Sequence, residues 1–212
     1  MMSLWKRYVF LAFGLLVMAF GVAFSIKAAL GTSPISSVPY VISLFTPLTV
    51  GVITIIMHVI FILAQILLLR RNYELIQLMQ LPVALFFGVM TDVALIVIAG
   101  INPVGYIQQC AYCALGIVLV GFGVAVEVTA DVVMLAAEGL ITAITKVFPI
   151  KFTRMKVTFD VTLVVTATIL SFVFIGSLNG VREGTIAAAL LVGPVARVFT
   201  SIFEKMGLTK RS

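Results

Sequence analysis

Six stretches of this chain stay apolar for about twenty residues each, which is the helical length needed to cross a hydrocarbon core of roughly 30 Å. They run approximately from Tyr8 to Ile26, Leu48 to Leu69, Leu75 to Ala99, Ile107 to Val128, Lys156 to Ile175 and Gly184 to Phe203. With 62% of the 212 residues apolar and only 10% charged, a water-facing surface cannot be covered, so lipid is the expected solvent. The runs are apolar on every face. A membrane β-barrel needs short alternating stretches instead, so helices are the spanning structure that satisfies this backbone. The expected class is an all-α polytopic membrane protein.

The net charge of +6 does not point to nucleic acid, because the basic residues sit at helix ends rather than in a patch interleaved with aromatics. Membrane lipid is the partner they imply. Lys6 and Arg7 before an apolar stretch that ends near Ala28 and Ala29 imitate a signal peptide. Cleavage is not expected, since that stretch has an internal copy.

Sliding the sequence by 102 positions places Phe20, Gly21, Val22 and Ala23 on Phe122, Gly123, Val124 and Ala125. In the same gapless register Ile42 meets Ile144, Pro47 meets Pro149, Val59 meets Val161 and Leu68 meets Leu170. A single membrane domain therefore reads as two repeats, about 8–99 and 107–203. Each has a long helix, a short segment and two long helices. The short segments, Ser33 to Phe45 and Val132 to Phe148, start with helix-like punctuation: Ser33 and Pro34 in the first, Asp131 as a cap for the second. Thirteen or so residues cover only about 20 Å, so re-entrant or broken helices are expected.

Basic residues test that count, because they accumulate on cytoplasmic loops. Six spans with the N-terminus inside put Lys6, Arg7, Arg70, Arg71, Lys146, Lys151, Arg154, Lys156, Lys205, Lys210 and Arg211 on the inner face, and essentially only Arg182 outside. Eight spans would move Arg70 and Arg71 out. Both termini are thus expected to be cytoplasmic. Three spans per half make the repeats inverted, a plan shared by many transporters whose broken helices meet at a central site.

Ionisable groups at membrane depth cost at least about 2.5 to 3.5 kcal/mol and need a partner, a cavity or a role. His58 and Asp160 occupy equivalent positions of the two halves, each 11 residues after its proline. They either face each other across the axis, where a histidine beside a carboxylate can carry a proton, or are neutralised separately by Thr54 and Lys156 one turn earlier. Glu138 lies in the second short segment at the position matching Ser36. It is a binding group or part of a solvated face with Thr142 and Lys146. Ser33, Ser36 and Ser37 offer hydroxyls at a helix start, suited to a polar group or to a plain capped turn. Glu127 and Asp131 share a helix face and would attract a cation or meet Lys151 and Arg154. Asp92 and Arg197 fall at different depths and are expected not to pair.

Cys110 and Cys113 form a CxxC. A zinc site wants four ligands and the single histidine lies elsewhere, so packing is expected and no metal or cofactor is assigned. No phosphate loop, nucleophile elbow or metalloprotease helix is present, and the chain is read as not an enzyme. Gly14, Gly21, Gly88, Gly116, Gly121 and Gly123 would permit close helix contact, either internally or in a homodimer.

Four blocks, GTSPISSVPYVIS from Gly31 to Ser43, QLPVALFFGVMTD from Gln80 to Asp92, KVTFD from Lys156 to Asp160 and REGTIAAALLVGP from Arg182 to Pro194, together resemble the bacterial YczE/YyaS/YitT-like membrane proteins. The resemblance covers nearly the whole chain and implies a bacterial cytoplasmic (inner) membrane protein. Some relatives are classed as exporters, but no residue role carries over. The expected function is transport of a small molecule or ion through a central site bearing His58, Asp160 and Glu138, with proton coupling as one route. The alternatives are a membrane helper that binds a partner protein, and a passive channel.

Overall fold

The computed structural model describes residues 3–208. Lys210 and Arg211 of the charge count lie outside them. Among these residues the regular structure is helical, with eight α-helices: α1 Leu4–Lys27, α2 Pro34–Ser43, α3 Val50–Leu69, α4 Gln80–Val97, α5 Tyr106–Ala130, α6 Ala136–Val147, α7 Phe152–Ile175 and α8 Glu183–Lys205. Short 3-10 turns, Arg70–Asn72 and Leu75–Met79, join α3 to α4. Six helices are long and apolar enough to cross a membrane. The remaining two, α2 with 10 residues and α6 with 12, are the short segments of the sequence.

The starts follow local chemistry. Pro34 opens α2, where its missing N–H has no helical partner to lose. Thr49 caps α3 by accepting from the Val52 N–H. The expected cap of the second short helix is corrected: Asp131 is instead the left-handed C-cap of α5, and Leu135 occupies the N-cap of α6.

At the centre α1 and α5 cross antiparallel with their backbones close. A Cβ on Gly21 would lie 2.9 Å from the Gly116 carbonyl oxygen, and one on Gly123 would lie 2.8 Å from that of Gly14. Only hydrogen fits at such a crossing, and close packing of backbones is what drives helix association in lipid. Against this pair pack α4, on α1, and α8, on α5. The other four helices form a second layer, in which α3 packs on α6 and α7 packs on α2. One side of the sandwich is shut, because α3 also packs on α4; on the opposite side α7 and α8 have no comparable packing, and α8 meets the second layer at α2.

Lys27 ends α1 and donates from Nζ to the Ala99 carbonyl at 2.8 Å, so the end expected to hold essentially only Arg182 carries a second cation. It shares that end of the bundle with Arg182, whose Nη1 donates to the Ala29 carbonyl at 3.1 Å. The opposite end carries Arg7, paired with Asp131 at 2.9 Å.

Candidate binding cavity

Between the two helix layers lies a cavity of about 400 Å³. That falls within the usual range for small-molecule sites, roughly 300 to 1,000 Å³. Its walls include Met18 and Val22 of α1, Phe87 of α4, Val120 and Val124 of α5 and Val192 of α8. The polar lining is Ser33 at the N-cap of α2 and Ser36 within it, Thr54 and His58 of α3, Glu127 of α5, Glu138 of α6, Thr153, Lys156 and Asp160 of α7 and Arg197 of α8.

His58 is 1% exposed and sits near the rings of Phe61 and Phe87, at centroid separations of 6.1 and 6.3 Å. Its Nδ1 has no hydrogen-bond partner. The helper expected from sequence, Thr54, turns its hydroxyl to the Val50 carbonyl at 2.8 Å, because a helical threonine reaches the preceding turn more easily than its neighbour's side chain. The His58–Asp160 contact is not formed. Both residues line the same cavity, but Asp160 accepts from Lys156 Nζ at 3.1 Å, one helical turn away.

Lys156 also pairs with Glu138, at 3.6 Å, so α6 and α7 are joined by one cation between two carboxylates. Only one oxygen of Glu138 is used. Its Oε2 is buried without a partner. Thr142 donates to the Glu138 backbone carbonyl at 2.8 Å and leaves the carboxylate alone. Glu127, 7% exposed, accepts from the Leu135 N–H at 2.6 Å, which supplies the start of α6 with the side-chain acceptor that Leu135 lacks. Its expected partnership with Asp131 is corrected: Asp131 faces Arg7, and neither carboxylate meets Lys151 or Arg154.

The three serines separate. Ser33 donates to Ser36 at 3.0 Å and both line the cavity, whereas Ser37 donates to the Pro34 carbonyl at 2.6 Å, a local turn bond outside the lining. Asp92 is also elsewhere. Its carboxylate accepts from Thr49 Oγ1 at 2.6 Å and from the Gly51 N–H at 2.7 Å, tying α4 to the start of α3. It does not pair with Arg197, which lines the cavity with no ion-pair partner among the described residues. The cysteines are free, and Cys113 packs with Ala28, Leu30 and Ile117. No group of three His, Cys, Asp or Glu side chains among the described residues could hold a metal ion.

Sequence reading passed over a second polar contact. Gln65 and Gln80, 0% and 3% exposed, bond to each other, with Gln65 Nε2 donating to Gln80 Oε1 at 2.9 Å and to the Ala136 carbonyl at 3.0 Å. Gly139 makes room for it, since a Cβ there would lie 2.5 Å from Gln80 Nε2. A signal was available: Gln65 interrupts an apolar helix as conspicuously as His58 does.

A polytopic helical membrane protein with a polar-lined central cavity is the class that this fold defines. The chain belongs to a family of unknown function, DUF6198, whose model matches residues 5–201. It is similar to the uncharacterized protein YyaS of Bacillus subtilis (strain 168), at 26% identity over 206 residues that cover 96% of this chain and 97% of that protein. No solved structure matches.

Proposed function

We propose that this protein is a transporter of a small molecule or ion, with the cavity between its two helix layers as the central site. The observation that carries the reading is the lining: six ionisable side chains from five helices border one hollow, and two of these residues, His58 and Glu138, each keep a buried side-chain atom, Nδ1 and Oε2, with no partner. Buried polar atoms are normally satisfied, so orphans beside an open space are best explained by a ligand. The route is an inverted repeat. Its support is the crossed pairing of the glycines, Gly14 near Gly123 and Gly21 near Gly116, each pair exchanged by the 102-residue register.

The same exchange relates α3 on α6 to α7 on α2, and α4 on α1 to α8 on α5. In this reading α2 and α6 are re-entrant and the protein works by rocking one half against the other, in the bacterial inner membrane that its resemblance to YczE- and YitT-like proteins implies. His58, Glu138 and Asp160 then carry solute or a coupled proton, with Glu127, Lys156 and Arg197 facing the same space.

Reconstitution in liposomes with a pH-sensitive dye tests this. Solute-dependent movement of protons or charge is expected, and His58→Asn or Asp160→Asn should abolish it while the protein still folds. Unchanged transport in both variants would remove the cavity from the mechanism. Absence of any solute-dependent movement would favour the helper role.

A further inference from the structure

We propose that the cavity takes amphipathic organic amines, which enter sideways from the bilayer between α7 and α8. This rests on the transport reading and names its substrate class and entry. Three features of the lining point to it. Around the one inner ammonium, carboxylates exceed cations: Glu138 and Asp160 share Lys156, while Arg197 lies at the exposed rim. The unused atoms are Glu138 Oε2, an acceptor, and His58 Nδ1, which can accept, so a ligand bearing N–H groups and positive charge satisfies both. Around them the walls are aliphatic and aromatic, with Met18, Phe87, Val120 and Leu135 among them, and these suit an apolar tail.

The opening is on the lipid side. Thr153 and Val157 of α7 and Ala189, Leu190, Gly193 and Pro194 of α8 line the cavity and are also exposed, so the gap between these helices is its mouth. A solute reaching it through hydrocarbon must itself be apolar in part. Arg197, exposed at the same mouth, opposes a free cation arriving there without a tail.

The test uses the full protein in nanodiscs with ethidium, a fluorescent apolar cation bearing amino groups, as the probe. Saturable binding is expected, with octylamine displacing the probe at a concentration at least about tenfold below that of methylamine. Glu138→Gln should weaken ethidium binding about tenfold. Arg197→Gln should tighten it a few-fold, a gain that a misfolded protein cannot produce. Equal displacement by octylamine and methylamine, or preference for the anion 8-anilinonaphthalene-1-sulfonate, would overturn the substrate class. Quantitative cross-linking of two copies through Leu190→Cys would overturn the sideways entry, since the gap would then be a dimer contact. Either of these results alongside solute-dependent transport in liposomes leaves the transport reading standing; loss of all transport removes both.

Discussion

The seam between α3 and α4 is closed, and the seam between α7 and α8, at the equivalent place in the 102-residue register, is open. Five pairs of residues account for the difference. Gly51 and Gly88 let the first two helices touch backbone to backbone, and a Cβ on Gly88 would lie 2.7 Å from the Gly51 carbonyl oxygen. Their counterparts are Thr153 and Leu190. Asp92 clamps Thr49 and Gly51, whereas Pro194 stands in its place and can accept nothing through its side chain. Gln65 and Gln80 bond across the first seam; Ala167 and Arg182 occupy the matching positions. The bundle thus has a sealed edge and an unsealed one, and the cavity lies against the unsealed one.

Substitutions at the closed seam should break this contrast in graded steps. Gly51→Leu has the largest effect, because its side chain meets the Gly88 carbonyl and the Asp92 carboxylate; a loss of about 3 kcal/mol or more is expected, read as poor recovery of monodisperse protein in detergent. Asp92→Ala removes the acceptor from two donors and should cost about 2 kcal/mol in reversible denaturation. Gln65→Ala leaves the buried Gln80 amide without its partner and should cost roughly 1 to 2 kcal/mol by the same assay. Leu190→Gly at the open seam is the smallest change; on an exposed helix face it should cost about 1 kcal/mol or less, from helix propensity alone. A cost at Leu190 as large as at Asp92 would mean that the Leu190 face of α8 is also packed.

The contrast also shows what could be read from sequence. The six long helices and two short ones were legible because their apolar lengths differ so sharply, and the ends agree within about five residues. His58, Glu138, Asp160, Glu127, Ser33 and Ser36 were legible as cavity residues because polar groups are rare in this chain. Their partners were less so. Whether Asp160 turns to Lys156 or across to His58 depends on rotamer and helix rotation, which spacing alone leaves open. Gln65 was overlooked because an uncharged amide attracts less notice than a charge, although it too must find partners in lipid. The role of Asp92 depends on α4 lying beside the start of α3, a tertiary fact.

Cysteine accessibility measures the central claim, a hollow between the helix layers, most directly. In a Cys110→Ser/Cys113→Ser background, His58→Cys and Gln65→Cys place a thiol at two sites with nearly the same burial, 1% and 0% exposed, one bordering the cavity and one in the closed seam. Aminoethyl methanethiosulfonate should modify the thiol at position 58 and leave that at position 65 unreacted, and ethidium should slow the first reaction. Equal inertness of both thiols would contradict the hollow and the transport reading with it.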